Sequence, residues 1–174
     1  MKRVLGRGSG SVAPGEMRLC EGVFVDRHDK VKTEEFVTET LRSIVDRKVE
    51  HAIVVQGDGR VFHAVGSEDA VAIDGVNLDG AIVIHNHPTV FGEPYSFGKN
   101  DYEVLQQNPH ITLMAVSSGG GRYEMKAGQR VAEVGYDEAM GGIPLVEVDR
   151  EDFQHLVMRS LDELKAIRYR RKDL

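Results

Sequence analysis

The sequence predicts an α/β domain: a mixed sheet flanked by helices. Three observations point there. An amphipathic helical stripe runs from Thr33 to about Lys48. A hairpin pattern follows over residues 50–65, and two short apolar runs, Ala81–Ile84 and Ile111–Val116, lie on either side of a short helical pattern. Runs of that length suit buried strands, and a sheet-forming middle between amphipathic helices is an α/β arrangement.

In chain order, Gly6–Ser11 and Ala13–Gly15 are rich in turn formers, and no Walker lysine follows the glycines. Residues 1–15 are therefore expected to be flexible or loosely docked. Glu21–Val25 reads as a short strand. Thr33 is the expected cap of the first helix, in which Phe36, Val37, Leu41, Ile44 and Val45 share one face. Glu34, Glu35 and Glu39 sit near its start, where the helix dipole favours acids. Glu50–Gln56, the turn Gly57–Gly59 and Arg60–Val65 form the hairpin. Ala70–Ile73 is a further short strand. Lys99–Gln107 reads as a helix carrying Asp101 in its first turn. Ile111–Val116 and Arg122–Lys126 make a second hairpin around Ser117–Gly121, and Val131–Met140 a weak helix. Asp149 is the expected cap of a last helix over about residues 149–168, ending in the basic Arg168–Lys172. A single domain spans residues 1–174, with its core over about 33–126.

Composition narrows the function. The chain is 41% hydrophobic and 29% charged, as a globular protein is. Its net charge of -6 argues against a general nucleic-acid binder. No run approaches a membrane span, and Met1–Gly6 has no apolar stretch behind its charges, so a cytoplasmic protein is expected. Cys20 is the only cysteine, which excludes an internal disulfide and any multi-cysteine zinc site.

The chemistry concentrates in Gly80–Thr89, Gly-Ala-Ile-Val-Ile-His-Asn-His-Pro-Thr. Side chains alternate along a strand, so His85 and His87 leave it on one face and Asn86 on the other. Pro88 lacks an amide donor and suits the strand's end. A loop rich in turn formers leads to Asp101, whose carboxylate can fold back to complete a His, His, Asp set. Two imidazoles and a carboxylate with one position left open are the donor set of a catalytic zinc site. The expected ligands are His85, His87 and Asp101, and the expected cofactor is Zn2+.

His85-Asn-His87-Pro88 followed by Asp101 resembles the signature of the JAMM (MPN+, or JAB) metalloproteases, closest to their prokaryotic or phage-type members. The resemblance covers about residues 36–126. It implies a fold similar to that of the cytidine deaminases and hydrolysis of a peptide or isopeptide bond. A ubiquitin-like tail or a phage structural protein is the implied kind of substrate. It also implies an upstream glutamate as general base. Glu50, between the first helix and the hairpin, matches that place, and Glu68 is its rival. The sequence departs from the family where a serine helps to hold the oxyanion: counting back from Asp101, that position is Gly98. Ser96 or a backbone amide is the expected substitute. Two other readings follow from resemblance: an MPN-like assembly module without efficient catalysis, favoured by Gly98, and a nucleic-acid-associated protein similar to RadC, disfavoured by the acidic charge.

Overall fold

A computed structural model describes residues 3–6, 16–88, 96–143 and 150–174. The elements in order are β1 (Val4–Gly6), β2 (Arg18–Phe24), α1 (Lys30–Ile44), β3 (His51–Val55), β4 (Arg60–Val65), β5 (Ala70–Ala72) and β6 (Ile82–His87). Then come α2 (Lys99–Gln107), β7 (Thr112–Ser117), β8 (Gly121–Ala127), α3 (Tyr136–Gly141), α4 (Arg150–Glu163) and β9 (Ile167–Asp173). Seven strands form one mixed sheet in the order β2-β4-β3-β6-β7-β8-β9, and β1 pairs with β5 in a small second sheet. Only β6 and β7 run parallel within the large sheet, and α2 lies on the connection between them. A parallel pair requires such a crossover.

Strand alternation divides the core in two. Ile53, Val55, Ile82, Ile84, Met114 and Val116 face α1, which packs Val37, Leu41 and Ile44 against them. Ala52, Val54, Val83, Leu113 and Ala115 face the other way, toward Tyr102 and Leu105 of α2, Ala139 of α3, and Val157, Met158 and Leu161 of α4. The architecture is thus a mixed sheet with helices on both faces. β6 is buried along its whole length, and its register sets Ala52 beside His85 and Ala115 on the other side.

Several elements differ from the sequence expectation, each for a local reason. Asp29, not Thr33, caps α1: its carboxylate accepts from the Val31 and Lys32 amides at 3.1 and 3.0 Å. Thr33 lies one turn inside, its hydroxyl donating back to the Asp29 carbonyl at 2.8 Å. Val4–Gly6 is a strand, where loose chain was expected; the rest of that N-terminal stretch, residues 7–15, lies outside the described residues. The expected cap Asp149 also lies outside them. The last helix stops at Glu163 rather than near residue 168, because the chain reverses through Lys165 at a positive φ of 61°. Helical spacing ends with Leu164; afterwards Ile167 and Tyr169 alternate with Arg168 and Arg170, a two-residue period, and the basic segment becomes strand β9. Lys and Arg on such an outer strand discourage pairing with another chain's edge.

Asn86 ties these layers together. It points to the α1 face, fully buried, and its Oδ1 accepts the His51 amide at 2.6 Å. Its Nδ2 donates to the Val49 carbonyl at 3.0 Å. The linker from α1 into β3 is thereby latched to the strand that carries both histidines. Asn86→Ala strands a backbone donor and an acceptor, and is expected to cost about 2–4 kcal/mol. A lowered urea midpoint with an unchanged m-value checks this.

Candidate metal centre

β6 and α2 bring three side chains to one point. His85 and His87 leave β6 on the α2 face, and their Nε2 atoms stand 2.9 Å apart. Asp101 comes from the first turn of α2; its Oδ1 lies 3.2 Å from His85 Nε2 and its Oδ2 3.4 Å from His87 Nε2. All three side chains are buried, and among the described residues they are the only set of three or more such donors close enough to share one ion.

Asp101 is fixed from two sides. The Gly98 amide donates to its Oδ2 at 2.9 Å, so the carboxylate caps the start of its own helix. The Gly6 amide of β1, 95 positions away in sequence, donates to its Oδ1 at 2.9 Å. Gly6 adopts a φ of 95°, in the left-handed region, and a Cβ there would stand 2.5 Å from both carboxylate oxygens of Glu50. Only glycine fits between these two acids. Glu50 is itself fully buried at the head of β3, its amide bonded to the Ser67 carbonyl at 2.7 Å and its carbonyl to the Gly66 amide at 2.8 Å. Glu68, the rival candidate, lies exposed in the turn before β5.

Electrostatics prepares the donors. Burial pushes the His85 imidazole below its usual pKa, against the pull of Asp101, so the ring is neutral at pH 7. Burial alone would raise Asp101, but the two imidazoles outweigh it and hold the carboxyl well below the usual range. A neutral imidazole beside an ionised carboxylate is the protonation state a metal requires. The geometry fits as well. Tetrahedral zinc with bonds of about 2.0–2.1 Å needs donors roughly 3.3 Å apart; the two Nε2 atoms stand 2.9 Å apart, and they lie 3.2 and 3.4 Å from different oxygens of the Asp101 carboxylate.

Ser96 is brought near the cluster but engaged elsewhere. It is fully buried, and its hydroxyl shares a hydrogen bond with Tyr169 Oη of β9 at 2.8 Å. Tyr169 Oη in turn meets His155 Nδ1 of α4 at 3.0 Å. Between Ser96 and Gly98, Phe97 packs its ring 6.1 Å from that of His85. The sequence assigns no role to Gly6, Tyr136, His155 or Tyr169. Tyr136 feels the Asp101 charge, and burial, Asp101 and Asp137 push its phenol up to about 12, so it keeps its proton at neutral pH. Their common signal is position in space; no local spacing links them to residues 85–101. The expected metal ligands lay within residues 85–101 and the expected base at Glu50, whereas the structure adds the Gly6 amide of β1.

Comparison with known proteins returns no matching family model, no matching curated protein and no matching solved structure. No helix among the described residues is long and apolar enough to cross a membrane.

The pH response of the metal-free protein follows from these shifts. The His85 pKa is lowered from 6.5 on folding, so the unfolded chain takes up that proton first. Stability is then complete above about pH 6.5 and falls as the pH drops toward the folded value. Asp101, lowered from 3.8, acts in the same direction at lower pH. The melting temperature is expected to fall between pH 7 and pH 5, and His85→Gln should flatten that slope; thermal melts across the range measure both.

Proposed function

We propose that this protein is a zinc-dependent hydrolase of amide bonds, of the metallopeptidase or isopeptidase kind. The observation that supports it best is the convergence of His85, His87 and Asp101 in a buried cluster, with the Glu50 carboxylate one glycine away. His85 and His87 would hold the metal through Nε2, and Asp101 through its carboxylate. A zinc ion bound there supplies a water acidified to a pKa of about 7 and a Lewis acid for a carbonyl oxygen.

The chain's own residues do the rest. Glu50 takes the proton from the attacking water on a carboxylate oxygen and later returns it to the departing nitrogen. The Gly6 amide keeps Asp101 in place while leaving room for Glu50. The Gly98 amide holds the second Asp101 oxygen, so the carboxylate cannot swing away from the histidines. Burial excludes bulk water and strengthens each of these interactions. The JAMM resemblance extends the reading to peptide or isopeptide substrates, in a cytoplasmic setting.

One second reading has specific support. Gly98 has no side chain and the Ser96 hydroxyl is taken by Tyr169, which favours an MPN-like assembly module with a bound but silent metal. Turnover separates the two.

Purified protein is expected to carry one equivalent of zinc by elemental analysis, and the His85→Ala/His87→Ala double variant none. A double variant that keeps a full equivalent removes the metal assignment. Glu50→Gln should retain zinc while losing about 100- to 10,000-fold in hydrolysis of peptide- or isopeptide-linked substrates. Zinc-loaded protein with no turnover on either linkage supports the assembly module instead.

A further inference from the structure

A second polar constellation lies across the sheet from the metal centre, on the α1 face. There β2, α1, β3 and β4 border a cleft of about 300 Å³, a volume at the lower end of small-ligand sites. Its wall is largely apolar and includes Val23, Phe36, Ile44, Ile53 and Val61. Arg47, His51 and His63 line the same cleft, and no Asp or Glu does. That local balance is opposite in sign to the chain's net charge of -6. Arg47 Nε donates to the Ser43 carbonyl at 3.3 Å, and both terminal amino groups of the guanidinium have no protein partner among the described residues.

The two imidazoles are only partly committed to each other. His51 Nδ1 and His63 Nε2 stand 2.9 Å apart, and the rings stack with centroids 5.2 Å apart. Burial pushes both rings below their usual pKa, and the Arg47 charge adds to this, so each is neutral at pH 7. A neutral imidazole carries one N–H and one acceptor nitrogen. Whichever ring donates within the pair, the other must then carry its proton on its outer nitrogen. One N–H is left uncommitted in either tautomer. The backbone beneath is fixed, since the His51 amide bonds to Asn86 Oδ1 at 2.6 Å and His63 pairs with Ile53 in the hairpin register. We propose that this cleft binds a small aliphatic carboxylic acid as its anion, with the carboxylate on Arg47 and the histidine pair and the hydrocarbon chain against the apolar wall. One permanent positive charge matches one negative charge, and the planar guanidinium suits the two oxygens of a carboxylate. The site stands apart from the hydrolase reading and does not need it.

Octanoate is the probe, with 1-octanol and acetate as controls that lack its charge and its chain. Calorimetry on the full-length protein should show one equivalent of octanoate bound, and each control weaker by at least about 10-fold. Arg47→Gln removes the charge at an exposed position and should weaken octanoate about 10- to 100-fold, the loss expected for one hydrogen bond to a charged oxygen. His63→Phe keeps a ring while removing both nitrogens, and should weaken it as well. On titration the imidazole resonances of His51 and His63 should move, and those of His85 and His87 should not. Octanol or acetate binding as tightly as octanoate overturns the proposal. So does octanoate binding that Arg47→Gln leaves unchanged, or that moves only the histidines of the metal centre. Protein that binds no octanoate overturns it too, whatever its metal content, while the hydrolase reading stands or falls on zinc and turnover alone.

Discussion

The structure depends on keeping one carboxylate out of water. Asp101 is fully buried, and a charge so placed is tolerated only when donors surround it. Two imidazoles of β6, the Gly6 amide of β1 and the Gly98 amide at the start of α2 do so. β6 must end where both histidines face α2. Gly98 must stand at the helix start, and β1 must dock against β5 to deliver Gly6. The parallel pairing of β6 and β7 follows from the same need, since it places the crossover helix over the histidines.

The two faces of the sheet divide the labour. On the α1 side, Asn86 satisfies the backbone around His51 and holds the head of β3. On the other side the histidines flanking it meet Asp101. One tripeptide therefore both anchors the scaffold and supplies the donors. The rigidity of β6, paired on both edges and buried throughout, gives the cluster its definition.

Much of this was legible in the sequence, and the pattern of success is physical. α2 was readable to its bounds, Lys99–Gln107, and the hairpin of β3 and β4 from its glycine turn. His85, His87 and Asp101 were readable because alternation and a helix start constrain where their side chains point. β9 was missed because Arg168–Lys172 continues a helix without a local break, and the reversal at Lys165 has no glycine to mark it. The role of Gly6 was hidden for a different reason. Its partners lie 44 and 95 positions away in the chain, and no periodicity spans such a gap. Tyr136, which feels the Asp101 charge from 35 positions away, falls in the same class.

The bond between Gly6 and Asp101 also bears on when the centre can exist during synthesis. Gly6 is synthesised 95 residues before Asp101, and its place against β5 and α2 is created only after residue 101 has followed. The donor set is therefore a property of the finished domain and not of the His-Asn-His segment. A growing chain with both histidines exposed carries two imidazoles and no third donor held beside them. A cluster whose supports lie 95 residues apart takes shape only once β1, β5 and α2 have docked together.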